Sequence, residues 1–280
     1  MTVGIVGLGL IGGSVAKSIR AHSEHEVIGF DRDPRVMEMA IQEGAIVREM
    51  TDETIGQCDV VLAALYPAAA VQFFREKRRL IRKGALAMDL AGVKRAVCDS
   101  LFAELKDAQF TFMGGHPMAG REFSGYTASR ADLFEKACML IAPMPGAAEA
   151  EKARAERFFR EIGFARVRFT DPDEHDHMIA LTSQLAHVVS SAYVKSPLAP
   201  NHSGFSAGSF HDMTRVARLN ERMWTELMMD NRQALSEELA GLIGRLQKYQ
   251  AALDTADEAE LMRLLKEGRL AREALDPQGV

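Results

Sequence analysis

A short apolar strand, Val3-Gly4-Ile5-Val6, runs straight into Gly7-Leu8-Gly9-Leu10-Ile11-Gly12-Gly13-Ser14, and no other segment constrains the fold as strongly. Gly7 permits a tight turn out of the strand, Gly9 lets backbone approach a pyrophosphate, and Gly12 lets the following helix pack closely on the strand. The pyrophosphate then rests on unpaired N–H groups at the positive end of that helix, where Leu10 and Ile11 join the three glycines as candidate contacts. Val15 and Ile19 mark the helix's apolar face, and a second strand, Val27-Ile28-Gly29-Phe30, follows. It ends on Asp31, nineteen positions beyond Gly12, where a carboxylate accepts hydrogen bonds from an adenosine ribose 2′-OH. The spacing predicts a dinucleotide-binding βαβ unit; glycines serving packing alone are the competing reading.

The chain has 280 residues, enough for one large domain or two ordinary ones. Its net charge of -5 and the lack of a Lys/Arg block argue against a nucleic-acid partner. Cys58, Cys98 and Cys138 are odd in number and widely spaced, so they read as core residues in a reducing compartment, not as a disulfide framework or a thiolate zinc site. With a strand at Val3 no signal peptide is expected, and the apolar run Val60 to Val71 is short for a membrane span and interrupted by Pro67. A cytoplasmic enzyme is the expectation.

Short β-like runs alternate with helical ones through about residue 170, the pattern of an α/β, Rossmann-type doubly wound parallel sheet. Candidate strands are 60–64, 86–89, 110–113, 139–142 and 166–169; helical segments include 34–43, 68–80 and 148–162. Asp171-Pro172-Asp173-Glu174 then reads as an N-cap, a Pro at the first helical position and a Glu placed for a capping box. Beyond it no strand signal appears, and long helices are broken by a loop from Ser196 to Ser209. We place a domain boundary near residue 170: a dinucleotide-binding domain over 1–170 and an all-α domain over 171–280. The apolar positions of the latter, among them Leu239, Leu242, Ile243 and Leu246, exceed what a small helical domain buries alone, so a homodimer is expected.

Ligands in open α/β sheets lie outside the carboxyl ends of the strands, where His116 of Gly114-Gly115-His116-Pro117-Met118-Ala119-Gly120 falls. The glycines permit backbone to approach a cofactor or substrate; a hydrogen-bonded structural histidine is the alternative. Ser183 and His187 share a helix face, with Ser190 three further on, either lining a pocket or satisfied within a bundle. Glu174-His175-Asp176-His177 reads as an acidic helix start with solvated histidines, because consecutive helical residues point in different directions and cannot share a metal. Arg215, Arg218 and Arg222 fall on one helical face, suited to carboxylate recognition or to solvent.

With these segments in place the chain resembles the prephenate dehydrogenases, a family that includes arogenate dehydrogenases and acts in tyrosine biosynthesis. The carrying motifs are GLGLIGGS at the start, DLAGVK at 89–94, GGHPMAGRE at 114–122, HDHMIALTSQLAH at 175–187 and SFHDMTRVA at 209–217, with Trp224 beyond. The resemblance implies that Gly7, Gly9, Gly12 and Asp31 hold NAD. It makes His116 the base at the substrate's ring 4-hydroxyl and places Glu122 at the substrate entrance. It further implies that His187 and Arg215 bind substrate, Arg215 as carboxylate anchor, and that no metal is needed; Ser183, on the same helix face as His187, is taken as a substrate contact beside it. NAD is expected over NADP because Asp31 would meet a 2′-phosphate with like charge. The chain departs from the family at Gly92, where serine is frequent, and at Gln184, Ala186, His211 and Arg121. These departures leave the reaction type intact and open the choice between prephenate and arogenate. A β-hydroxyacid dehydrogenase or imine reductase is the competing enzyme class; its lysine base has a poor counterpart in Lys195, beside Ser196-Pro197.

Overall fold

A computed structural model describes residues 1–121 and 123–275. Strands β1 (Thr2–Val6), β2 (Glu26–Phe30), β3 (Arg48–Glu49), β4 (Val60–Ala63), β5 (Leu86–Asp89), β6 (Thr111–Pro117), β7 (Cys138–Pro143) and β8 (Arg166–Phe169) form one sheet in the order β3-β2-β1-β4-β5-β6-β7-β8. Helices α1 (Leu10–His22), α2 (Pro34–Gln42), α3 (Pro67–Lys77), α4 (Arg95–Leu105) and α5 (Glu149–Glu161) cover it. The strand order reverses between β1 and β4, which opens a crevice at their carboxyl ends.

The strands are apolar on both faces because each face packs against helices. Val60, Leu62, Leu86 and Met88 enter one core cluster with Val3, Ile5 and Ile19, while the alternating Val61, Ala63 and Ala87 enter the other with Phe74 and Phe112. In the second cluster the Phe74 and Phe112 rings meet edge to face at 5.0 Å, an arrangement worth about 0.5–1.5 kcal/mol beyond area burial. Cys58 and Cys98 are buried free thiols, and burial pushes Cys58 up to about 12.

Two features depart from the expected parallel sheet. The short strand β3 pairs its Arg48 and Glu49 with Ile28 and Gly29 of β2 and has no apolar pattern to announce it. Strand β7 runs antiparallel to β6, with His116 opposite Leu140. A parallel return needs a crossover, usually a helix, and among the described residues of 118–137 the only helical element is one 3₁₀ turn, Tyr126–Ala128.

Helix α6 (Pro172–Ile179) starts as the sequence implies, with Asp171 Oδ1 accepting from the N–H groups of Asp173 and Glu174, both at 2.9 Å. Glu174 does not close a capping box. Its carboxylate instead accepts from Thr170 Oγ1 at 2.5 Å and Arg168 Nη2 at 2.7 Å. A π turn over Ala180–Gln184 leads into α7 (Leu185–Tyr193), followed by α8 (Gly208–Thr214) and α9 (Glu221–Asp230). Helices α10 (Arg232–Asp254) and α11 (Glu258–Leu275) complete the described chain.

The chain divides into two compact units, one spanning Met1–Arg232 and one beginning at Gln233. The first therefore contains the sheet together with α6 to α9. Within the second, Tyr249 Oη donates to Leu264 O at 3.1 Å, while Ile243, Leu246, Leu253, Met262 and Leu265 are exposed. No helix among the described residues is long and apolar enough to cross a membrane.

Candidate functional site

The glycine turn closes the carboxyl end of β1. Gly7 has φ +82°, and a Cβ there would lie 2.4 Å from Ala64 O. A Cβ on Gly12 would lie 1.8 Å from Gly7 O, so α1 approaches the strand more closely than any side chain allows. Gly9 differs, since a Cβ there would meet nothing within 4 Å. It is the N-cap of α1, no side chain caps the helix, and the first intrahelical bond runs from Gly13 N to Gly9 O. The N–H groups of Leu10, Ile11 and Gly12 thus lie in the orphan first turn beside that open space, where an anion fits. Asp31 sits just beyond β2; its Oδ2 accepts from Leu8 N at 2.8 Å and its Oδ1 from Asp33 N at 3.0 Å. A carboxylate has about four lone-pair sites, so acceptor capacity remains for a ribose hydroxyl.

His116 lies within β6, not in the loop after it. The two glycines before it are closed over by protein. A Cβ on Gly114 would lie 2.6 Å from Cys98 Sγ, and one on Gly115 would lie 2.6 Å from Met139 Cε and 2.7 Å from Asp89 O. They let β6 pack against its neighbours, which corrects the expectation that they admit a cofactor or substrate. Beneath them Lys94 is fully buried, paired with the carboxylate of Asp89, and donates to Gly115 O at 2.6 Å. Asp89 also accepts from Ala91 N at 2.9 Å.

The other side of His116 is formed by α6. His175 and Asp176 are 2% and 1% exposed, which overturns the reading of His175 as solvated; His177 alone of the pair faces water. His116 Nδ1 lies 2.9 Å from His175 Nε2, and His175 Nδ1 lies 2.7 Å from Asp176 Oδ1. Asp176 is fixed in turn by the N–H groups of Lys94 at 2.7 Å and Arg95 at 2.9 Å. Burial, then the like charge that His175 would carry if protonated and the ammonium of Lys94, hold the His116 ring well below its ordinary pKa. Burial lowers His175 as well, against the opposing pull of Asp176. The remaining nitrogen, His116 Nε2, would lie 3.8 Å from a Cβ on Gly92, which would also lie 3.5 Å from the Leu227 methyl carbons. The absent side chain at Gly92 leaves a gap beside that nitrogen that a methyl group would fill against Leu227.

The helical candidates are only partly brought together. His187 Nδ1 bonds the carbonyl of Ser183 at 2.9 Å, not its hydroxyl, and the His187 ring packs on Trp224 at 3.8 Å between centroids. A cavity of about 270 Å³ is lined by His187, Trp224, Lys195 and Glu221 among others. Ser190 is buried. Gln184 is buried too: its Nε2 donates to Leu227 O at 3.0 Å and its Oε1 accepts from Asn231 Nδ2 at 2.9 Å, so it ties the π turn to α9. Ala186 and His211 are exposed.

The three arginines do not share a helix face. Arg215 lies in a 3₁₀ turn, Arg218 follows in extended backbone, and Arg222 belongs to α9, whose start is set by Asn220 Oδ1 accepting from Met223 N at 3.0 Å. Arg218 stacks over Phe123 at 5.4 Å, while Arg121 donates to Ala128 O at 3.1 Å. Glu122 lies outside the described residues. No group of three or more His, Cys, Asp or Glu side chains among the described residues is placed to hold a metal ion.

Sequence reasoning missed His175, Asp176 and the Lys94–Asp89 pair. The signal for the first two lies in the helix phase: His175, Asp176, Ile179 and Ala180 repeat at helical spacing and are all buried, whereas Asp173 and His177 fall outside that stripe.

A glycine turn open to an anion, an acid at the end of the second strand and a histidine at the carboxyl edge of the same sheet define a Rossmann-type oxidoreductase. Residues 15–168 match the family model described as prephenate dehydrogenase, nucleotide-binding domain, and residues 171–267 match prephenate dehydrogenase, dimerization domain; the chain belongs to the prephenate dehydrogenase family. It is 30% identical to cyclohexadienyl dehydrogenase of Zymomonas mobilis, over 98% of this chain and 95% of that one. It is 27% identical to prephenate dehydrogenase of Bacillus subtilis, over 98% of this chain and 76% of the relative. Among solved structures, prephenate dehydrogenase from A. aeolicus in complex with hydroxyphenyl propionate and NAD+ superposes with a TM-score of 0.86 at 26% identity, covering 99% of this chain and 98% of that one.

Proposed function

We propose that the protein oxidatively decarboxylates prephenate to 4-hydroxyphenylpyruvate. The observation that carries this reading is the placement of His116, with Nδ1 held by α6 and Nε2 beside the space over Gly92. NAD, held at Gly7, Gly9, Leu10, Ile11, Gly12 and Asp31, supplies the hydride acceptor. His116 Nε2 accepts the proton of the ring 4-hydroxyl as C4 gives up its hydride. The ring carboxylate then leaves as carbon dioxide, its bonding pair makes the ring an aromatic 4-phenolate, and His116 Nε2–H returns the proton to that oxygen to give the 4-hydroxyl. A base so placed acts where charge develops, a contribution of about 10²–10⁴-fold. Ser183, His187, Arg215 and Glu122 are assigned to substrate binding, Arg215 as the carboxylate anchor.

Asp31 supports NAD over NADP, because a 2′-phosphate would meet a carboxylate. Residues 1–170 serve the dinucleotide and 171–280 serve substrate binding and a homodimer, a division supported by the two matching family models. The exposed apolar side chains of α10 and α11 support the dimer, and the three free cysteines support a cytoplasmic setting. Arogenate is the second reading. It is favoured by the relative named a cyclohexadienyl dehydrogenase, since both compounds are cyclohexadienes. Steady-state oxidation of prephenate and of arogenate, each with NAD and NADP, tests the assignment. Turnover of prephenate with NAD is expected; turnover of neither compound overturns it.

A further inference from the structure

We propose that His175 and Asp176 are positioning residues that hold His116 in the tautomer with its proton on Nδ1, leaving Nε2 as a bare acceptor toward the substrate. The inference rests on the reading of His116 as the base and extends it to residues outside the substrate site.

The direction of each hydrogen bond follows from the chain's buried end. A carboxylate only accepts, so the proton between His175 and Asp176 belongs to His175 Nδ1. Neutral imidazole carries one N–H, so His175 Nε2 is a lone pair and His116 Nδ1 must donate to it across 2.9 Å. His116 Nε2 then has no proton. The opposite arrangement would arise if His175 were an imidazolium, since its Nε2–H would donate to His116 and force the His116 proton onto Nε2. Burial of His175 opposes that state, as does the ammonium of Lys94.

The charged and titratable groups around the pair come from three elements: Asp89 at the end of β5, Lys94 in the following loop, and His175 with Asp176 on α6. Asp176 cannot rotate away from His175, because Oδ1 and Oδ2 also cap the N–H groups of Lys94 and Arg95. The same two bonds tie α6 to the start of α4, so the orientation of His175 is fixed from the sheet side. On proton transfer the substrate O–H bond breaks and an N–H bond forms at His116 Nε2. The resulting imidazolium then keeps its Nδ1–H on His175, whose other nitrogen is paired with a carboxylate.

The test reads the tautomer directly. In uniformly ¹⁵N-histidine-labelled protein, long-range ¹H–¹⁵N correlation distinguishes Nδ1–H from Nε2–H, and the His116 signals are assigned by their loss in His116→Asn. A wild-type His116 with the proton on Nδ1 is expected; a proton on Nε2 overturns the inference whatever the activity. His175→Gln retains an oxygen able to accept from His116 Nδ1, whereas His175→Leu does not. In His175→Leu, kcat should fall about 10–100-fold, the population cost of leaving a buried donor unsatisfied, with NAD affinity unchanged. His175→Gln should recover most of that loss. Equal kcat in wild type and His175→Leu overturns the inference. An Nδ1–H tautomer in a protein that turns over neither prephenate nor arogenate would instead leave the positioning intact and remove the proposed substrates.

Discussion

Two glycines in one turn should respond to the same substitution in opposite ways. A methyl group on Gly9 would meet no protein atom within 4 Å, and the residue has φ -70°, which an L side chain adopts freely. Gly9→Ala should therefore fold normally. Restricting the unfolded chain at a compatible site contributes about 0.4–1 kcal/mol of stability, so Tm should hold or rise slightly. The open space is where a pyrophosphate would approach the orphan N–H groups of Leu10, Ile11 and Gly12. A methyl group there displaces the anion from at least one charge-assisted hydrogen bond, worth about 1.5–3 kcal/mol, so the Kd for NAD should rise about 10–100-fold. Gly12→Ala makes the reverse case. Its Cβ would lie 1.8 Å from a backbone oxygen that has no rotamer to escape into, so α1 must move off β1. Overpacking of a fixed contact costs about 1–3 kcal/mol or more, and Tm should fall before binding is considered. Scanning fluorimetry with NAD titration by calorimetry separates the two. A Gly9→Ala protein that binds NAD as tightly as wild type would refute the placement of the pyrophosphate on this turn.

Four further outcomes are expected. Asp31→Asn should weaken NAD about 10–100-fold through loss of a charge-assisted acceptor and narrow its advantage over NADP, measured as the ratio of kcat/KM; an unchanged ratio would remove Asp31 from the ribose. Gly92→Ala should leave both Tm and kcat near wild type, since its Cβ makes only ordinary contacts with Leu227 and His116; a large loss of kcat would show that substrate needs the room the glycine leaves. Arg215→Ala should raise the prephenate KM about 10–100-fold, the range for a charge-assisted bond, with the NAD KM unchanged, and equal KM values would end its role as anchor. His116 and His175 both carry folded pKa values below the ordinary histidine value of about 6.5, so the unfolded chain binds protons first. The stability they contribute is present above that value and lost as pH falls below it, and the acid limb of kcat/KM lies below the ordinary histidine range. A Tm that does not fall on acidification through that window, or an acid limb at the ordinary value, contradicts the buried neutral pair.

The elements legible in the sequence are those whose burial is written locally. Parallel strands covered on both faces read as apolar runs, so β1, β2, β4 and β5 could be placed within a residue or so. Asp171-Pro172 announced α6 because a cap is a contact between neighbours in sequence. The two-residue β3 is charged and exists only because β2 offers it an edge. The direction of β7 is equally non-local, since its apolar pattern is the same whichever way the strand runs. His175 was misread because a histidine among acids looks solvated until the helix phase is set. The arginine row failed for the opposite reason: spacing implied one continuous helix, and the turn at Arg215–Ala217 breaks it.

The antiparallel return of β7 explains why the histidine belongs to a rigid element. If β6 ended near Met113, His116 would sit on a loop, with backbone free to move on the scale of an ångström. Pairing with β7 extends β6 to Pro117 and sets His116 opposite Leu140 in a fixed register. The cost is a strand that must pass close to β5 and to the loop carrying Lys94, which is why two glycines precede the histidine. Lys94 then bonds the carbonyl immediately before it, and the same residue's N–H holds Asp176. Strand register, buried ion pair and helix α6 therefore converge on one imidazole from three directions. On the proposed assignment of His116 as the base, such convergence would hold its Nε2 within the tolerance that proton transfer demands, with the determinants of His116 geometry lying on β7, Lys94 and α6.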